Sequence, residues 1–174
     1  FCLTSISQEM LYSHTPSSSL YYHPKTLMPF TGKVTGKEQG SFKDGKREGP
    51  WVTYHGNGKL QSKETYKDGK VDGPFDIFYK NGQQRTKGTY KDGKRVDGLS
   101  VEWHENGQIK EASIYKNGKP DGEYLGWFFG GEKKFTARYV DGKIEGLLLE
   151  FTSDGEVASR KHYKEGVLMS GEKI

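Results

Sequence analysis

The sequence holds few side chains whose types and spacing could support catalysis or bind a metal. The single cysteine, Cys2, can form no disulfide within the chain, and no Gly-x-Ser-x-Gly nucleophile elbow occurs. His55 and His104 occupy equivalent places in two repeats, so we expect each to lie at a strand end. None of the five histidines has another at the spacing of zinc ligands: His14, His23, His55, His104 and His162. We therefore expect no catalytic residue, no metal site and no bound cofactor.

Two glycine-containing motifs resemble ligand-binding loops. The segment "GNGK" at 56–59 lacks the spacing of a phosphate-binding loop and the Ser or Thr that would follow it. The recurrent "KDG" lacks the alternating carboxylates of a calcium loop. Both motifs are instead typical of β-hairpin turns, in which glycine and its neighbour adopt positive φ.

Two groups of side chains could bind a partner. The aromatic group is Trp103, Trp127, Phe128 and Phe129, and its last three members form a triplet found in one repeat only. The basic group follows the Asp-Gly and Asn-Gly turns and predicts a row along one rim: Lys46, Lys70, Lys94, Lys119 and Lys143. Alternative interpretations stay open, because rings can simply hold a sheet together and turn lysines can simply limit edge aggregation.

Composition restricts the class of protein. Hydrophobic residues make up 32% of the 174 residues, too few for a thick core, while 13% aromatic residues and 24 glycines argue against disorder and favour a turn-rich β protein. The net charge of +4 comes from interspersed residues and includes no basic block, which argues against nucleic acid as a partner. No apolar stretch is long enough for a transmembrane helix.

Glycines recur in three columns and define repeats of about 24 residues. One extra residue, Val96, lengthens a single turn, which a surface loop tolerates. Aromatic residues mark the starts of the repeat units, near Phe42, Tyr66, Tyr90, Tyr115, Tyr139 and Tyr163. The first column contains Gly45, Gly69, Gly93, Gly118, Gly142 and Gly166; the second contains Gly49, Gly73, Gly98, Gly122 and Gly146; the third contains Gly58, Gly82, Gly107, Gly131 and Gly155.

Each repeat contains two runs of strand length between turn signals, and the connections are too short for a crossover. This predicts an all-β fold: an elongated, single-layer antiparallel sheet of tandem β-hairpins that is solenoid-like and held together by contacts between neighbours. Alternation places one column of aromatic residues on a single apolar face: Tyr54, Phe78, Trp103, Trp127 and Phe151. The intervening positions predict a mixed face that water partly reaches: Trp51, Phe75, Ser100, Tyr124 and Leu148.

The N-terminal residues differ from the repeats. The chain opens with "FCLTSIS", which resembles the end of a signal peptide with small residues Ser5 and Ser7 before a cleavage site at Gln8. We expect residues 1–28 to be a signal-peptide remnant and flexible leader, with a short extended segment near Leu20 to His23, and residues 29–174 to form the repeat domain. The expected location is the periplasm or cell surface, and the alternative is the cytoplasm. The alternative for the first residues is that they only mark an arbitrary boundary of the sequence.

The segment "YKDGKVDGPFDIFYKNGQQRTKGTY" resembles a MORN repeat, and more closely the bacterial variant of that repeat. The resemblance extends from about Pro29 to Gly171. Proteins with this bacterial variant are often assigned to the YwqK-like antitoxin family, which the chain therefore also resembles. This resemblance implies a noncatalytic repeat module that binds another protein, possessing an antitoxin-like or immunity-like role. The alternative that it implies is binding of anionic envelope lipid headgroups or glycans, through the basic row and the aromatic face.

Overall fold

The computed structural model describes the backbone of Ser5–Ser7 and Tyr12–Ser13 and all of residues 20–174. The predicted cleavage site at Gln8, residue Cys2 and most of the predicted leader lie outside these described residues. Within them the chain contains strands, turns and bends and no helix, so the predicted all-β class is confirmed. Residues 20–28 form a short strand and a turn, and Tyr21 packs against the ring of Phe42 at 4.8 Å between centroids.

The chain divides into two compact units, and the first comprises residues 1–82 and 89–94. Its hairpins succeed one another in antiparallel pairs, from β4 with β5 through to β7 with β8. One pair departs from the prediction, because β1 lies parallel to β4. The strands are β1 (Ser5–Ser7), β2 (Tyr12–Ser13), β3 (Tyr21–Tyr22), β4 (Gly32–Thr35), β5 (Glu38–Lys43), β6 (Lys46–Tyr54), β7 (Leu60–Lys67) and β8 (Lys70–Phe78).

The second unit comprises residues 83–88 and 95–174, and β9 (Gln84–Lys91) and β10 (Lys94–Arg95) contribute residues to both units. Its strands again pair antiparallel in the order of the sequence, beginning with the first part of β9 against β11. The remaining strands are β11 (Gly98–Trp103), β12 (Ile109–Lys116), β13 (Lys119–Trp127), β14 (Lys133–Val140), β15 (Lys143–Ile144), β16 (Gly146–Phe151), β17 (Val157–Lys164) and β18 (Val167–Lys173).

The glycine columns form the predicted turns. Every glycine of the three columns has positive φ. The residue before each first-column glycine also has a φ near +50°, which makes these two-residue hairpin turns of the type that matches strand twist: Asp44, Asp68, Asp92, Asn117, Asp141 and Glu165. The second-column glycines lie within a strand or open one, and Gly73 (φ 133°), inside β8, faces a register shift between Glu64 and Tyr66. The predicted turn lengthening at Val96 coincides with a break between β10 and β11.

In the first unit, the buried side of the sheet is the one that carries Trp51 and Phe75. The sequence predicts this face to be mixed in composition and partly accessible to water, so that prediction is wrong. Trp51 is 2% exposed and Phe75 is 6% exposed, whereas Val52 and Tyr54 are only half-buried. The Trp51 ring meets Phe42 at 5.0 Å and Tyr66 at 6.1 Å between centroids, and it covers Gly40, where a Cβ would overlap with the indole. We call this side the ring face, and the opposite side the open face.

The second unit buries the same side with smaller residues. Its buried positions within strands all lie on the ring face: Ser100, Ser113, Gly126, Ala137 and Ser159. There Tyr124 stacks against Phe135 at 5.2 Å and Tyr139 at 5.5 Å between ring centroids. The open face of this unit carries no buried residue, although it holds the predicted apolar column. An apolar surface therefore remains exposed in the second unit.

Candidate functional site

The four predicted aromatic residues lie at one end of the strands of the second unit. Trp103 ends β11 and Trp127 ends β13, and both point to the open face with β12 between them, which places their strands about 10 Å apart. Phe128 and Phe129 follow Trp127 directly in the next turn. We call these four residues the aromatic end. The structure thus brings the predicted aromatic group together.

The turn of one repeat holds the turn of the next in place at the aromatic end. The His104 ring bonds through Nε2 to the Trp127 carbonyl oxygen at 3.0 Å, and the Asn106 amide donates to the Phe129 carbonyl oxygen at 2.7 Å. The rings of His104 and Phe129 also meet edge to face at 5.4 Å. These contacts fix the backbone of the aromatic triplet, while the Phe129 side chain remains 59% exposed. His104 is therefore a structural strand-end residue, as predicted.

The first unit contains the same bonds without the exposed aromatic residue. His55 bonds through Nε2 to the Phe78 carbonyl oxygen at 2.9 Å, and the Asn57 amide donates to the Lys80 carbonyl oxygen at 2.8 Å. Lys80 occupies the place of Phe129 there and is exposed. Since a lysine serves the turn equally well, the turn architecture does not require the ring at position 129.

Two lysines lie above rings near the aromatic end. The ammonium of Lys87 is 5.6 Å from the centroid of the Trp103 ring, and that of Lys134 is 5.8 Å from the centroid of the Phe128 ring. Such contacts stabilise a cation over the face of an aromatic ring by about 0.5–1 kcal/mol at exposed sites. The end therefore presents apolar rings beside positive charge.

In each unit the predicted lysines open strands, at the ends opposite to the turns that contain His55 and His104, and we call them the lysine rim: Lys46, Lys70, Lys94, Lys119 and Lys143. All five side chains are exposed. Strand β13 runs from Lys119 to Trp127, so about 26 Å separates the two ends. The structure therefore does not bring the lysine rim and the aromatic end into one site.

Carboxylates alternate with the lysines along this rim. The acidic residue that precedes each second-column glycine accepts a hydrogen bond from a backbone amide in the turn of the next repeat, as Asp121 does from Asp141 N at 3.2 Å. We call these residues the capping acids: Glu48, Asp72, Asp97, Asp121 and Glu145. Lys119 also forms an ion pair with Asp141 at 3.0 Å. The rim is thus mixed in charge. The acidic residue before each glycine of the second column is a repeated signal in the sequence that could have identified this role.

Two other carboxylates of the second unit, those of Glu111 and Glu150, are bound to neighbouring side chains. Tyr124 donates its hydroxyl to Glu111 at 2.6 Å, and burial, together with this bond, raises the pKa of Tyr124 well above its usual value near 10. Lys161 at 2.7 Å and the Ser159 hydroxyl lower the pKa of Glu150. Among residues 20–174, no group of three or more His, Cys, Asp or Glu side chains is arranged to hold a metal ion.

The hairpins, turns and inter-repeat bonds define an all-β protein built from tandem β-hairpin repeats. Within it, residues 47–68 and 96–117 match the MORN repeat variant family. MORN repeats are noncatalytic repeat modules that are generally associated with binding of proteins or membrane lipids. No curated protein matches the chain with significant similarity. The described part of the chain contains no helix that could cross a membrane.

Proposed function

We propose that this protein is a noncatalytic module that binds another protein through its aromatic end. The observation that carries the proposal is the 59% exposure of Phe129 on a turn whose backbone is fixed by His104 and Asn106. A ring held in place loses little conformational freedom on binding, and aromatic residues are enriched among the residues that dominate binding energy. Trp103 and Trp127 extend the same apolar surface on the open face.

The first unit supplies the variant that tests this proposal. Phe129→Lys recreates Lys80, which the chain already tolerates in an equivalent turn, so we expect its melting temperature to stay within about 2 °C of the parent. Loss of a central aromatic contact typically weakens a complex by 2 kcal/mol or more, about thirtyfold in Kd. The matched control is Lys80→Phe, which adds a ring in the first unit and leaves the aromatic end intact.

The experiment is quantitative affinity capture from cells with the parent chain, Phe129→Lys and Lys80→Phe, followed by titration of the purified partner. A protein retained by the parent and by Lys80→Phe, and lost with Phe129→Lys, supports the proposal. Partners that bind all three chains equally well would contradict it.

We further propose that the partner is a toxin that the module neutralises, and that the protein is exported to the periplasm or cell surface. The supporting observations are the resemblance of the repeats to the YwqK-like antitoxin family and the signal-like residues before Gln8. Co-expression with the product of each neighbouring gene tests the first point, since relief of growth arrest by the parent and not by Phe129→Lys is expected. Cell fractionation and N-terminal sequencing of the full precursor test the second.

Binding of anionic lipid headgroups or glycans is the second candidate, and the exposure of the lysine rim favours it. The capping acids weaken this candidate because they place carboxylates along the same rim. Co-sedimentation with phosphatidylglycerol vesicles tests it at 50 and 300 mM salt. Charge-dependent binding that is lost when all five rim lysines become Glu, and is unchanged by Phe129→Lys, would favour the lipid-binding function over the protein-binding one.

A further inference from the structure

The residue after each second-column glycine changes in chemistry between the two units. In the first unit this position is Pro50 and Pro74, and in the second it is Leu99, Glu123 and Leu147. The position that faces it across the hairpin changes in parallel, from Thr65 opposite Pro50 to Ile114, Arg138 and His162 in the second unit. Because both sets support the same hairpins, the fold itself does not require Leu99, Ile114 and Leu147 at these positions. We call the six positions of the second unit the apolar row, after these three residues.

The apolar row lies on the open face and is exposed to solvent. Leu99 is 69% exposed, Leu147 is 49% exposed and Ile114 is 43% exposed. Leu99 faces Ile114 across β11 and β12, so the two side chains form a continuous apolar surface. The next row of the same face adds three half-buried aliphatic residues: Val101, Leu125 and Leu149. The row is about 13 Å from the aromatic end along β11, so it is a separate surface.

Two opposite charges lie in the middle of this apolar surface. Glu123 and Arg138 face each other across β13 and β14, and both are exposed. Within residues 20–174, neither has an oppositely charged side-chain atom within 4 Å, whereas the charged pairs Glu102 with Lys110 and Glu172 with Arg160 on nearby strands do form ion pairs. The surface therefore carries one acid and one base, each able to accept a partner of opposite charge.

We propose that the apolar row is the site at which a second copy of this chain binds, with the two open faces packed against each other. A two-fold axis between β13 and β14 brings Glu123 of one copy to Arg138 of the other, and the reverse, so four charges of alternating sign meet at the centre. The surrounding leucines, isoleucine and valine then lose contact with water. A two-fold interface requires a surface whose charges are complementary to themselves, as Glu123 and Arg138 are. Binding of an unrelated partner would not require this.

The dimer is expected to be weak. Six strands at about 4.8 Å spacing and two rows of side chains give a contact at the low end of the areas of specific interfaces, where transient complexes lie. Its dissociation constant is therefore expected in the micromolar range. The average mass of the parent in sedimentation equilibrium should rise from that of a monomer toward that of a dimer between about 10 µM and 1 mM.

Charge reversal tests the two-fold arrangement directly. Glu123→Arg alone places two arginines opposite each other in both halves of the dimer, and Arg138→Glu alone places two glutamates there. Each variant should remain monomeric, with Kd raised at least tenfold. An equimolar mixture of the two variants restores both opposite-charge contacts and should recover the dimer. A monomeric parent, variants that dimerise like the parent, or a mixture that stays monomeric would each overturn the proposal.

A second pair of variants separates this surface from the free edge of β18. Leu147→Lys places a charge in the apolar row at a position that is already half exposed, so the fold should survive and the dimer should be lost. Val167→Lys is the matched control, because Val167 is a similarly exposed apolar residue on β18. Dimerisation that survives Leu147→Lys and is lost with Val167→Lys would show that the edge strand makes the contact, and would overturn the proposal. Leu147→Lys should still capture the partner that Phe129→Lys loses. That result would show that the dimer surface and the aromatic end act separately.

Discussion

Gly126 and Phe135 form a pair in which one residue leaves room for the other. They face each other across β13 and β14, and a Cβ at position 126 would overlap with the Phe135 ring. The equivalent pair in the first unit is Thr53 with Ser62, so the chain itself contains two solutions for this position. We predict that Gly126→Thr destabilises the protein because the ring must leave its place beside Tyr124.

The magnitudes follow from the contacts. Overfilling a packed site costs typically 1–3 kcal/mol, so Gly126→Thr should lower the free energy of unfolding by about 2 kcal/mol. Phe135→Ser should also cost about 2 kcal/mol, from the half-buried ring and its edge-to-face contact with Tyr124. The double variant recreates the Thr–Ser pair and removes the overlap, so its total cost should be about 2 kcal/mol, well below the sum of about 4 kcal/mol.

Urea unfolding followed by tryptophan fluorescence and circular dichroism measures all four chains. The control is Gly56→Thr, because no atom lies within 4 Å of where its Cβ would be, and its cost should be small. A double variant whose cost equals the sum of the two single costs within about 0.5 kcal/mol would refute the reasoning, since it would mean that Phe135 does not occupy the space above Gly126.

Three further predictions concern the turns and the ring face. Asp121→Ala should cost about 1 kcal/mol and speed hydrogen exchange at the Asp141 amide, because that amide loses its acceptor; unchanged exchange would contradict the capping role. Since the pKa of Tyr124 is raised in the folded state, its contribution to stability is present below pH 10 and is lost at higher pH; denaturant titrations of Tyr124→Phe should show a smaller loss of stability there. Gly82→Val should lower the free energy of unfolding by about 2 kcal/mol through backbone strain, because φ is +94° there and a Cβ would contact only the Lys59 side chain without a clash. Thermal melts should show that Gly82→Asn is less destabilising.

The turns and pairing of this fold could be predicted from the glycine columns. Asp-Gly and Asn-Gly at fixed spacing require positive φ at two successive residues, and this local requirement does not depend on the rest of the chain. The choice of buried face could not be predicted in the same way. Alternation separates the two faces of a strand, but burial of Trp51 depends on Phe42 and Tyr66 from neighbouring strands and on the missing side chain at Gly40.

The candidate site was partly visible in the sequence. The triplet of Trp127, Phe128 and Phe129 departs from the repeat pattern, and that departure identifies the aromatic end. The glycine columns align Lys80 with Phe129, but the sequence could not show that the two turns share the same hydrogen bonds from Asn57 and Asn106. The sequence also could not show that the lysine rim and the aromatic end lie at opposite ends of the strands, because this depends on the length of strands such as β13.

The capping acids give the array a direction. Each carboxylate reaches forward to an amide of the following repeat, and the second unit continues this as far as Glu145, which accepts from the amide of Glu165. The position in β18 that corresponds to Asp121 is Met169, whose thioether sulfur is only a weak acceptor compared with a carboxylate. Removal of one carboxylate should therefore loosen the turn that follows it in the sequence and leave the preceding turn unchanged. The effect of such a substitution is thus directional along the chain.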